Sequence, residues 1–125
     1  TRFDKILVDA PCSGSGVTGR HPDIRWNRSE KDIQGFGKRQ LSLLTKAAQL
    51  LMPGGILVYA TCSIEKEENW DVVESFLSSH PDFSITDCMN HLPLAARSLV
   101  KDKCFAPLPS DGTDGFFAAR LARRL

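Results

Sequence analysis

Two apolar runs, Ile6-Leu7-Val8 and Ile56-Leu57-Val58, constrain this chain more than any other feature. Each is short and reads as a buried strand, and the second is apolar on both faces, as a parallel strand covered by helices on both sides is. Each runs on into a cysteine, through Asp9-Ala10-Pro11-Cys12 and through Tyr59-Ala60-Thr61-Cys62. Between them Leu41, Leu44, Ala48 and Leu51 recur at helical spacing and make one apolar face, widened by Leu43, Ala47 and Leu50. A strand–helix–strand unit of this kind closes as a parallel pair with a right-handed crossover. Both cysteines then reach the carboxyl edge of the sheet, where open α/β folds bind their ligands.

The remaining pattern extends this unit into an α/β domain covering residues 1–125, with a mostly parallel sheet and a terminal antiparallel hairpin. Strands are expected over 4–9 and 56–60. The loop from Ala10 to Asn27, carrying Gly14, Gly16, Gly19 and Pro22, is long enough to suggest function, though its glycines alone indicate only backbone freedom. Ser29 reads as a helix N-cap. The helix is expected to be weak at Gly35-Phe36-Gly37, each glycine costing about 1 kcal/mol relative to alanine. Pro53-Gly54-Gly55 reads as its stop and turn. A second helix follows with Trp70, Val73, Phe76 and Leu77 as its buried stripe, ended by His80-Pro81. Phe83-Ser84-Ile85-Thr86 alternates as a third strand. Residues 87–110 read as loops, and Phe116 to Arg123 as a last, antiparallel strand, with a helix as the alternative that its alanines leave open.

Charge and cysteine usage exclude several classes. A formal net charge of +1 is too small to identify a nucleic-acid partner by itself. Arg20, His21, Arg25 and Arg28 do gather near the first loop, and Arg120, Arg123 and Arg124 near the end, which by default is a solvated face. Cys12, Cys62, Cys88 and Cys104 are widely spaced, with no C-x-x-C pair, so no metal site is expected. The sequence offers no signal peptide and no apolar run of membrane-spanning length. The expectation is a cytoplasmic protein with free thiols and no membrane partner.

The chemistry of the two loops leaves several readings open. Each cysteine alone reads as a small buried hydrophobe. Two at equivalent strand ends also fit a nucleophile assisted by a second thiol, a redox pair, or a cysteine hydrolase. The hydrolase requires a histidine, and only His21 lies near either loop in sequence. Asp9, at the end of a strand, can contact a ribose, an amino group or a base edge, or cap the loop that follows.

The motifs in order narrow these readings. Asp9-Ala10-Pro11-Cys12-Ser13-Gly14 is followed by Arg20-His21-Pro22-Asp23-Ile24-Arg25-Trp26, Pro53-Gly54-Gly55, Tyr59-Ala60-Thr61-Cys62-Ser63, Glu68-Asn69 and Asp114-Gly115-Phe116-Phe117. This set resembles the Sun/Fmu group of RNA cytosine-C5 methyltransferases, especially the bacterial enzymes acting on a 16S ribosomal RNA cytosine. The resemblance runs from about residue 3 to residue 120. It implies a Rossmann-like fold using S-adenosylmethionine, and ribosomal RNA as partner. It implies that Cys62 attacks carbon 6 of the cytosine and that Cys12 assists product release. It places Asp9 near cofactor and cytosine, and it makes Pro11 a shaper of the loop. Arg20 and Arg25 become candidates for contact with RNA.

The resemblance covers only the C-terminal half of such a catalytic domain. The upstream glycine-rich loop and the first three strands have no counterpart here, so the cofactor site is expected to be incomplete in this chain. The outer edge of strand one is then a place for self-association. A non-catalytic RNA-binding module and a dithiol redox protein stand as the alternatives.

Overall fold

Phe3–Asp9 (β1) and Leu51–Thr61 (β2) pair in parallel, with Ile6 opposite Leu57 and Asp9 opposite Ala60. The computed structural model describes residues 2–17 and 30–125. The helix between the two strands, Glu30–Gln49 (α1), lays Leu44 and Ala48 into the core, with Gln40 buried among its polar residues. Trp70–Ser79 (α2) follows β2 and buries Val72, Val73 and Phe76. Phe83–Thr86 (β3) and Phe117–Arg123 (β6) complete the main sheet, while Val100–Lys101 (β4) and Cys104–Phe105 (β5) add a short hairpin.

The last strand is antiparallel, as its position predicts, but it does not end the sheet as a simple hairpin. β6 lies between β2 and β3 and pairs antiparallel with both, Tyr59 opposite Ala119 and Ile85 opposite Leu121. β1, β2 and β3 therefore run one way, and the strand inserted among them runs the other. Burial of one face of β6 rewards this placement: Phe117, Ala119 and Leu121 enter the core, while Ala118, Arg120 and Ala122 lie on the other, partly exposed face.

Three local expectations need correction. The Ile6-Leu7-Val8 run is not buried throughout: Val8 is 5% exposed but Leu7 is 67% exposed. Alternation puts Val8 toward the core and Leu7 on the opposite face, which is open to solvent at that residue. α1 is not broken at Gly35-Phe36-Gly37. Gly37 is a close-approach position, where a Cβ would stand 2.8 Å from the Glu67 carbonyl oxygen. Pro53-Gly54-Gly55 is not the turn after the helix. α1 ends at Gln49, Leu51 already pairs with Phe3, and an irregularity between Phe3 and Lys5 absorbs the proline and glycines within β2.

Residues 87–110 are more ordered than their prolines suggest. They hold 3-10 turns at Met89–His91 and Leu94–Leu99 and the β4–β5 hairpin. The two central residues of that hairpin, Asp102 and Lys103, have positive φ of 47° and 72°. Tight hairpins require this backbone, normally from Asn-Gly or Asp-Gly, so an Asp-Lys pair gives little warning of it. Two of the terminal arginines brace the sheet. Arg120 donates to Thr86 Oγ1 at 2.8 Å, and Arg123 meets Asp82 at 3.0 Å. No helix among the described residues is long and apolar enough to cross a membrane.

Candidate active site

The parallel pairing of β1 and β2 brings the two cysteine loops together, and the sulfurs meet. Cys12 Sγ lies 3.2 Å from Cys62 Sγ, although the residues are 50 apart in the chain. Both thiols are free and half-buried. Burial pushes the Cys12 thiol up to about 12, and its side-chain hydrogen bond with Cys62 adds to the rise. At neutral pH Cys12 is therefore a neutral thiol, able to donate its S–H to the Cys62 sulfur.

Backbone contacts lace the loops to each other. Gly16, in the 3-10 turn Ser15–Val17, donates to the Cys62 carbonyl at 2.9 Å and accepts from Gly115 N–H at 2.7 Å. Three chain segments meet there, and no side chain fits: a Cβ on Gly16 would stand 2.2 Å from the Gly115 oxygen. The reading of this glycine as a source of loop freedom is thus corrected, since it serves close packing. Ser15 extends the lacing, sharing a 3.2 Å hydrogen bond with the Ser63 hydroxyl and accepting from Ile64 N–H at 3.0 Å.

Beneath the thiols lies a buried polar cluster centred on Glu68, which is 0% exposed. Its carboxyl group accepts from Ser13 N–H at 2.7 Å, from the Ser13 hydroxyl at 2.6 Å and from Gln40 Nε2 at 3.2 Å. It also accepts from the Ser63 hydroxyl. A buried carboxyl group is costly unless its oxygens are hydrogen-bonded, and here donors from three elements meet that need. Tyr59 hydroxyl donates to the Glu68 carbonyl at 2.6 Å, fixing the backbone as well. Asn69 ties the second loop on both sides of Cys62, accepting from Thr61 Oγ1 at 2.6 Å and donating to the Ser63 carbonyl at 2.8 Å.

The other predicted site residues divide. Asp9 is exposed at the carboxyl end of β1, three residues before Cys12. Pro11 is exposed, and its carbonyl accepts from Gln40 Nε2 at 2.9 Å, which pins the first loop to α1. Arg20 and Arg25 lie outside the described residues, as do His21, Arg28 and Ser29. Glu68 and Asn69 stand out in sequence only as part of the motif set, with no role attached. Gln40 gives no signal at all beyond being a polar residue one position before Leu41 on the apolar helix face.

Comparison with known proteins agrees with the motif order. Residues 1–122 match the family described as 16S rRNA methyltransferase RsmB/F. The chain is 41% identical over 125 residues to a probable ribosomal RNA small subunit methyltransferase B of Bacillus subtilis, covering 98% of this chain and 28% of that protein. It is 41% identical over 123 residues to ribosomal RNA small subunit methyltransferase B of Yersinia pseudotuberculosis, covering 98% and 27%. It therefore spans under a third of these curated relatives. Among solved structures it superposes on a methyltransferase homologue from Pyrococcus horikoshii with a TM-score of 0.73 and 34% identity, covering 98% of this chain and 40% of that one. NSun6 from Pyrococcus horikoshii, solved with SFG, gives a TM-score of 0.78 and 28% identity, covering 98% and 30%.

Proposed function

We propose, from the premise that this chain belongs to the 16S rRNA methyltransferase RsmB/F family, that it carries the two catalytic thiols of an RNA cytosine-C5 methyltransferase. The observation that carries the reading is the 3.2 Å approach of Cys12 and Cys62 at the carboxyl edge of β1 and β2. In this reading the Cys62 sulfur bonds to carbon 6 of the target cytosine, and carbon 5 becomes electron-rich. S-adenosylmethionine, when bound, supplies the methyl group as an electrophilic sulfonium. Release passes the proton on carbon 5 to water, breaks the bond between carbon 6 and sulfur so that the sulfur leaves with the electron pair, and restores the ring double bond. Cys12, neutral at pH 7, donates its S–H proton to the departing Cys62 sulfur and takes one back from the water that received the carbon 5 proton.

The assignment of attack to Cys62 and release to Cys12 rests on the family resemblance, and the raised Cys12 pKa agrees with it. A thiol held neutral is a poor first nucleophile and a suitable proton donor. Asp9, exposed at the end of β1, offers two acceptor oxygens for the amino or hydroxyl donors of the cofactor or the base. In this reading Asp9 meets one edge of the cofactor, in a site that this chain supplies only in part. Support for S-adenosylmethionine comes from the family and from the relative solved with SFG, a cofactor analogue. The RNA partner is ribosomal RNA on the same grounds, with Arg20 and Arg25 as phosphate contacts and Pro11 holding the loop beside the base. The target base must leave its stack to reach a half-buried thiol.

The test uses the full-length protein, methyl-labelled cofactor and ribosomal RNA. Cys62→Ala is expected to lower 5-methylcytosine formation by about a thousandfold or more. Cys12→Ala is expected to accumulate a denaturation-resistant protein–RNA adduct through Cys62. Undiminished methylation in Cys62→Ala would overturn the nucleophile assignment, and the absence of any adduct in Cys12→Ala would overturn the release role.

A further inference from the structure

We infer that Glu68 is the positioning residue that sets the distance between the two thiols. Its side chain touches neither sulfur, but it holds the immediate neighbour of each. Ser13 follows Cys12, and both its N–H and its hydroxyl donate to Glu68, at 2.7 and 2.6 Å. Ser63 follows Cys62, and its hydroxyl donates to the same carboxyl oxygen that receives the Ser13 hydroxyl. One buried atom thus bridges two loops that lie 50 residues apart in the chain.

The rest of the cluster keeps that bridge in one place. Gln40 donates from α1 to the other carboxyl oxygen at 3.2 Å and to the Pro11 carbonyl at 2.9 Å. Tyr59, wholly buried on β2, anchors the Glu68 carbonyl at 2.6 Å. Glu68 is therefore fixed to the helix and the sheet, and each cysteine loop is fixed to Glu68. Without it, Ser13 N–H loses its acceptor and the two serine hydroxyls lose their shared partner. Three buried donors that lose their acceptor drive local rearrangement, and all three belong to the residues that directly follow the two cysteines. The inference gives Glu68 a role in the methyl-transfer reading above, but the distance it controls can be measured without RNA or cofactor.

The readout is the equilibrium of the Cys12–Cys62 pair with glutathione in the full-length protein. Glutathione disulfide takes up the two thiol hydrogens as two reduced glutathiones while the protein disulfide forms, and mass spectrometry quantifies the linked peptide. The sulfurs must close from 3.2 Å to bonding distance, so the equilibrium reports how well the loops are held together. Glu68→Ala removes three hydrogen bonds to the loops and is expected to shift the equilibrium toward the dithiol by about tenfold or more, tenfold being the effect of one such bond. Glu68→Gln keeps the length and an acceptor for Ser13 N–H, and it is expected to restore most of the wild-type value. Leu121→Ala, a buried core truncation on β6, controls for general destabilisation and is expected to leave the equilibrium unchanged. If Glu68→Ala does not fold, Glu68→Asp replaces it: one methylene shorter, it cannot reach both loops and is expected to shift the equilibrium where Glu68→Gln does not. An equilibrium in Glu68→Ala equal to wild type, or equal shifts in Glu68→Ala and Leu121→Ala, would overturn the inference. So would Glu68→Asp matching Glu68→Gln. In methyl transfer, the same variant is expected to lower kcat with little change in KM, whereas a fault in RNA binding would raise KM. Loss of the methyl-transfer reading itself would leave the thiol equilibrium as described.

Discussion

Replacing Gly16 by alanine is a severe test of how the two loops are joined. The added Cβ would lie 2.2 Å from the Gly115 oxygen, 2.6 Å from its carbon and 2.7 Å from the Cys62 oxygen. All three are backbone atoms, so no side chain can swing away. Gly16 does not have positive φ, so the penalty is one of space alone. Reaching the 3.4 Å at which ordinary contact begins requires the Gly115 carbonyl to retreat by about 1.2 Å. That motion breaks or strains the 2.9 Å hydrogen bond to Cys62 and the 2.7 Å hydrogen bond from Gly115. Losing both is expected to cost about 2–4 kcal/mol, at about 1–2 kcal/mol for each group left poorly paired. Because one of these bonds ends on the Cys62 backbone, the thiol moves with it, and a displacement near 1 Å lowers the chemical rate by about a hundredfold. Urea denaturation gives the first quantity, and single-turnover methyl transfer by the full-length protein gives the second. A Gly16→Ala protein with wild-type stability and rate would refute the argument that these segments meet without room for a side chain.

Two further outcomes follow from the same geometry. Cys12 and Cys104 have both been pushed by burial from about 9 to about 12, so the unfolded chain releases those protons first as pH rises. Stability is then independent of these groups below pH 9 and falls between pH 9 and 12; Cys12→Ala is expected to flatten that fall when urea midpoints are compared across the range, and an unchanged slope would count against the raised value. β1 is the end strand of the sheet among the described residues, and Leu7 is 67% exposed on it, so the isolated chain is expected to self-associate with rising concentration. Leu7→Lys should reduce that association in sedimentation analysis, and equal association of both forms would exclude this strand as the contact.

Much of the site is legible in the residues because its main determinant is local. Apolar runs such as Ile56-Leu57-Val58 give strands, the spacing of Leu41, Leu44 and Ala48 gives a helix, and alternation of these elements gives parallel strands with their ends together. The meeting of Cys12 and Cys62 follows from that topology, and the motif order around them names the family. The misreadings share a cause. Gly37 and Gly16 both read as flexible points, yet each marks a place where a second backbone passes too close for a Cβ. A sequence shows the missing side chain without showing what occupies its space. Leu7 reads as buried because an apolar run carries no information about whether a second layer covers its outer face.

The sequence by itself determined the alternating strands and helices, the sheet edge that carries the thiols, and the residue types available for chemistry there. These depend on the periodicity and chemistry of neighbouring residues, which any reader of the chain can count. Only the tertiary structure decided that β6 enters between β2 and β3, that Ser13, Gln40 and Ser63 converge on one buried carboxyl group, and that Glu68 lies at their centre. Those partners are 5, 28 and 55 residues away from Glu68, and although Ser13 and Ser63 stand beside the cysteines, nothing in the sequence marks them or Gln40 as partners of Glu68. What selects them is the need of a carboxyl group removed from water to be met by every donor within reach.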